Sequence, residues 1–213
     1  MTPPEWQVYI SIGKDIVTAG AALTAAVIAV LGLQAWKRQL RGKTDYELAR
    51  RFLRAVYSVR DSIRALRNPV QNTEEIVAAF KDSTNTPQNA VNADDSFKIE
   101  VGVYQLRWKR VNEAMSDLQV EMLEAEVSWG EAAAAKVEPF RQCVAKLHTA
   151  TRRHLRYQLP PYSSRPLDPD AREALDRIIY EISNDESEDG TFTNEIKRSV
   201  ETIEGFLKPR LKL

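Results

Sequence analysis

The sequence predicts an all-α protein: an N-terminal single transmembrane helix followed by a cytoplasmic helical bundle built around a long antiparallel helical hairpin. Three observations lead there. Ile16 to Trp36 is a run of 21 residues without one ionisable side chain. From Phe97 to Trp129 apolar residues recur in an unbroken 4-3 alternation, the signature of a helix with one continuous seam. No stretch alternates apolar and polar residues for more than a few positions, so strands have no support.

Residues 1–15 form a short extracytoplasmic segment and residues 16–36 the span. A helix of that length rises about 31 Å, close to the hydrocarbon thickness of a bilayer. Trp6 and Tyr9 before the run and Trp36 after it suit the two membrane–water interfaces. The core helix of a soluble protein would show a polar face, whereas here only Thr18, Thr24 and Gln34 are polar. A cleaved leader would carry its cations before the apolar run, and this one carries them after. Lys37, Arg38, Arg41 and Lys43 outweigh the lone Lys14 on the amino side. Cations stay on the cytoplasmic side, so the expected topology is single-pass in the plasma (inner) membrane, amino end outside and carboxyl end cytoplasmic. Trp36 and those four cations make the membrane-surface collar, attracted to an anionic cytoplasmic leaflet. Ala21, Ala25 and Ala29 stack at i+4 spacing, a small-residue face through which spans associate.

Residues 37–43 read as a basic juxtamembrane hinge. Thr44-Asp45-Tyr46-Glu47 has the spacing of a capping box, which with Gly42 predicts a break and a new helix over 44–67. Its apolar line is Ala49, Phe52, Val56, Val59, Ile63 and Leu66, and Asn68-Pro69 ends it. The opposite face carries Arg50, Arg51, Arg54, Arg60, Arg64 and Arg67. A short helix over 73–81 follows, with Asn72 and Glu75 at capping-box spacing, then a polar loop over 83–95.

The long helix carries the helix-packing seam Phe97, Val101, Tyr104, Trp108, Val111, Met115, Leu118, Met122, Ala125 and Trp129. Two tryptophans and a tyrosine are bulky for a two-stranded coiled coil, which favours packing inside one chain. Its outer face holds Glu100, Glu113, Asp117, Glu121, Glu124 and Glu126. Gly130 supplies a turn, and a return helix, kinked or restarted at Pro139, closes the bundle of residues 44–158 through Phe140, Val144, Leu147 and Thr151. Pro139 to Leu167 contains 6 cations and no acid, so folding it back onto the acidic helix would pair opposite charges. Residues 159–168 are a proline-rich connector. Residues 169–213 form a C-terminal helical pair, the first capped by Asp168 with Pro169 in its first turn and striped by Ala171, Leu175, Ile178 and Ile182. The second spans about 193–207 with Ile196, Val200, Ile203 and Leu207 inward.

Net charge is zero over 213 residues, which argues against a polyanion binder; nucleic acid is a disfavoured partner despite the arginines of 50–67 and of Thr151 to Tyr157. The single cysteine, Cys143, excludes an internal disulfide and reads as a small core residue. Asp185, Ser187 and Asp189 fit the first, third and fifth positions of a calcium loop, but its twelfth position is Ile196, with Glu195 one residue early. We read that segment as a solvated acidic linker and assign no metal. His148 and His154 are six residues apart and face different sides of a helix, so they are expected at a surface or helix end. No catalytic residue and no cofactor are indicated. The chain thus reads as a non-enzymatic, self-associating binding protein: a tether, scaffold or regulatory subunit with a homo-oligomeric or other protein partner. Two other classes fit less well. One is an oligomeric membrane effector gated by its cytoplasmic helices; the other is a ligand-sensing or enzymatic bundle with a site assembled from scattered polar residues.

Overall fold

The computed structural model describes residues 5–70, 72–83, 93–159, 167–181 and 191–211, with side chains at 14, from 18 onward, and apart from 80–83 and 93–96. All regular structure among them is helical: α1 (Glu5–Arg67), α2 (Thr73–Ser83), α3 (Ala93–Trp129), α4 (Ala132–Tyr157), α5 (Pro169–Ile179) and α6 (Phe192–Leu207), with a terminal 3₁₀ turn at Lys208–Leu211. The polar loop over 83–95 shrinks, because α2 runs through Ser83 and α3 starts at Ala93; residues 84–92 lie outside the described residues, as do 160–166 of the connector.

The chain divides into a first unit ending at Tyr46 and a second, Glu47–Lys212. In the first, α1 passes through Gly42 without the break expected there. Thr44 is not a cap: its hydroxyl donates to the Leu40 carbonyl at 3.0 Å, the back-bond of a threonine in the middle of a helix. One glycine costs a helix only about 1 kcal/mol, too little to stop it when both flanks are strong helix formers.

In the second unit, four helices contribute to one core. Phe52, Val56, Val59, Ile63 and Leu66 of α1 meet Val111, Leu118 and Met122 of α3, Phe140 and Leu147 of α4, and Ile196, Val200, Ile203 and Leu207 of α6. Each fully buried large side chain contributes about 1.5–3 kcal/mol. On α3, Tyr104, Val111, Leu118, Met122 and Ala125 are buried, while Phe97, Val101, Trp108, Met115 and Trp129 are half-buried. α3 and α4 join through Gly130, whose φ of +82° is the left-handed conformation that glycine adopts without penalty. Pro139 sits inside α4, which runs unbroken from Ala132, so the helix does not restart there.

α5 begins as expected, with Asp168 before Pro169, although the Asp168 side chain makes no capping bond. It ends at Ile179 because Tyr180 turns extended; the expected stripe therefore stops short of Ile182, which lies outside the described residues. Leu175 and Ile179 are the buried positions, and with Tyr104 and Ala150 they form a second small core. α6 is capped by Thr191, whose hydroxyl accepts from the Asn194 N–H.

α2 lies close on α3 because position 102 is glycine. A Cβ there would stand 2.8 Å from the Ala79 Cβ, inside van der Waals contact. Gly102→Val is therefore expected to cost about 1–3 kcal/mol through overpacking. Thermal circular dichroism should show the midpoint falling by roughly 2–4 °C per kcal/mol.

Candidate functional site

Among the described residues one helix is long and apolar enough to cross a membrane. Its apolar window has a mean hydropathy of 1.7 and no part of it is buried. Leu23 is 70% exposed, Ile28 64% and Trp36 60%. The two threonines inside it are satisfied by their own helix: Thr18 donates to the Lys14 carbonyl at 2.8 Å and Thr24 to the Gly20 carbonyl at 2.9 Å. This is the back-bond of a threonine within a helix. Ala21, Ala25 and Ala29 are exposed on it, and so are Trp36, Lys37, Arg38, Arg41 and Lys43 of the collar. The side chains of Trp6 and Tyr9 lie outside the described residues.

In the second unit the polar chemistry concentrates at three junctions. At the first, Arg107 of α3 is only 5% exposed. Its guanidinium donates to the carbonyls of Asn68 at 2.6 Å, Val70 at 2.9 Å and Leu66 at 3.3 Å, and to Glu75 Oε2 at 2.8 Å. One side chain thus satisfies the carbonyls at the end of α1 and pins the connector to α2. Burial alone would raise the Glu75 carboxyl, but the Arg107 guanidinium outweighs it, helped by the Asn72 N–H and Arg110, and holds it below the usual carboxylate range.

The second junction is Arg67, 3% exposed although it belongs to the arginine face opposite the apolar line of α1. It donates to the carbonyls of Ile178 and Tyr180 at 2.9 Å, of Arg177 at 3.1 Å, and to Thr193 Oγ1 at 2.9 Å. A cation is stabilised by the carbonyls of a helix C-terminus, here that of α5. Burial lowers its pKa, countered by the Glu181 carboxylate.

The third is a titratable cluster where α3, α4 and the end of α5 meet. His154 Nε2 lies 3.2 Å from Glu100 Oε1, and Gln158 donates to the same oxygen at 3.1 Å. The His154 ring stands edge-on to Tyr104 and Tyr180, at 6.2 and 6.1 Å. His154 is half-buried in the last turn of α4, the helix end expected for it, and Glu100 belongs to this cluster instead of the outer face. Its carboxyl is held below the usual range by the His154 hydrogen bond, with burial opposing. Burial pushes the Tyr104 hydroxyl far up, as does the neighbouring Tyr180. The cluster thus brings together an imidazole, a carboxylate and two phenol side chains. His148 is exposed and meets the Trp108 ring edge-on at 4.9 Å; the Trp108 N–H is buried without a partner.

A cleft of about 1360 Å³ opens beside Arg67. Three of its lining cations are paired: Arg64 with Glu181, Lys146 with Glu195 and Arg177 with Glu173. Five cations and three acids line it. Glu195, the carboxylate one residue early in the calcium-loop pattern, is thus held by Lys146 at 2.8 Å, while Asp185, Ser187 and Asp189 lie outside the described residues. Among the described residues no three His, Cys, Asp or Glu side chains converge as a metal site. Cys143 is buried and its thiol pKa is raised by that burial, which keeps it unreactive.

Of the α3 acids, Glu100 meets α4 through His154 and Gln158, but others turn elsewhere. Glu121 and Glu124 pair instead with Arg51 of α1, and Lys146 of α4 pairs across to α6. Compared with known proteins, the chain matches no family model, no curated protein and no solved structure.

Proposed function

We propose that this is a single-pass membrane protein of the plasma (inner) membrane whose cytoplasmic helical bundle, built around the α3–α4 hairpin, works by binding: a tether, scaffold or regulatory subunit. One observation carries the proposal. Among the described residues, the large apolar side chains of α1 up to Trp36 are at least half exposed: Leu23, Val27, Ile28, Val30, Leu31, Leu33 and Trp36. At about 3.6 residues per turn they project in every direction around the helix axis. A partner helix covers one stripe; a helix apolar all round is covered by lipid. The exposed cations from Lys37 to Lys43 set the orientation by the positive-inside rule.

The three polar junctions support binding over chemistry. Arg67 and Arg107 are consumed by backbone carbonyls, and Glu100 and His154 are held to each other at 3.2 Å. Topology is checked by fusions after Leu213: alkaline phosphatase is expected to be inactive and a green fluorescent reporter bright. An active phosphatase there reverses the orientation, and a protein left entirely in the soluble fraction removes the anchor.

A further inference from the structure

From Val111 to Ala135 the chain has 6 acids and no lysine, arginine or histidine. On α3 this stretch also leaves a line of large apolar side chains in solvent: Val120 is 59% exposed, Leu123 51% and Val127 90%. They stand three and four residues apart, so they share one face. Glu113 and Asp117 flank that face on one side, beside Glu124, which Arg51 already pairs, and Glu126 flanks it on the other at helical spacing. Glu113 and Asp117 are exposed and form no ion pair among the described residues. The line is not spare core, because the inward positions of α3, Leu118, Met122 and Ala125, are already buried on the opposite side.

We infer that the Val120–Leu123–Val127 face of α3 is a docking surface for a basic amphipathic helix of another protein. Apolar positions of the ligand at i, i+3, i+4 and i+7 would cover the line, and its flanking lysines or arginines would meet the acidic rims. A second copy docking through the same patch would set acids against acids, and like charges brought together are repelled. The inference rests on the binding role proposed above and is independent of the membrane anchor.

The test uses the full chain in nanodiscs of uncharged phosphatidylcholine, so that lipid does not capture the probe. The probe is a fluorescent synthetic helix of about 18 residues with leucines on one face and lysines beside them. Saturable binding by anisotropy is expected. The triple variant V120S/L123S/V127S should raise Kd about tenfold or more, and a probe with its leucines replaced by serine should lose affinity comparably. Because the three sites are exposed, the variant keeps its fold, which circular dichroism verifies. Equal affinity for wild type and variant means charge attraction alone and overturns the proposal, as does absence of saturable binding. A wild-type dimer that becomes monomeric in the variant places a second copy on the face and overturns it as well. Incorporation into the discs, scored separately, reports on the anchor and not on this surface.

Discussion

The double variant V27R/L31R is expected to leave the membrane. Both side chains lie in the uncovered apolar window, 57% and 59% exposed. An arginine near the centre of a span costs about 2.5–3.5 kcal/mol on insertion scales, so two cost roughly 5–7 kcal/mol. That is enough to abolish stable insertion of a single helix of mean hydropathy 1.7. Density-gradient flotation separates the outcomes: wild type floats with lipid, and the variant stays at the bottom. The volume-conserving exchange V27L/L31V should float like wild type, since lipid accepts any apolar side chain. If wild type itself stays at the bottom, or the arginine variant floats unchanged, the apolar run has another cover and the anchor is refuted.

The helical class was legible because burial on a helix repeats every three to four residues. Val111, Leu118, Met122 and Ala125 on α3, and Val200, Ile203 and Leu207 on α6, lie in the core where that spacing puts them. Local signals that admit two structures were not legible. A threonine three residues before a glutamate can cap a helix or sit inside one, and Thr44 takes the second option by bonding to the Leu40 carbonyl. Buried arginines are harder still. Arg67 and Arg107 are buried because helix ends from distant segments aim carbonyls at them, and no local pattern contains those ends. One clue for Arg107 was available: it interrupts the line Val103, Arg107, Val111, Ala114, Leu118, all buried. A cation at such a position needs a buried partner. His154 and Glu100 come from separate helices, 54 positions apart in the chain, and nothing in either neighbourhood announced the other.

Arg107→Ala is expected to be the most damaging single change in the second unit. It strips hydrogen bonds from the carbonyls of Leu66, Asn68 and Val70 and leaves Glu75, with a side chain 12% exposed, without its nearer cation. Breaking a buried pair from one side costs about 3–5 kcal/mol, because the remaining charge stays desolvated. Arg107→Lys should recover little, since a single ammonium cannot reach three carbonyls and a carboxylate in the guanidinium's fork geometry. Chemical denaturation of the full chain in lipid checks both. The pH dependence separates this mechanism from simple loss of packing. In the folded protein the Glu75 carboxyl titrates below its unfolded value, so its contribution is complete above about pH 4.3 and fades as pH falls through the folded pKa. Wild type should therefore lose stability on acidification through that window. Arg107→Ala should lose less, because without the guanidinium only burial acts strongly on Glu75 and its folded pKa moves up. Equal acid sensitivity in the two proteins would mean that Arg107 holds the α1–α2 connector through its carbonyl bonds alone, with the ion pair contributing nothing.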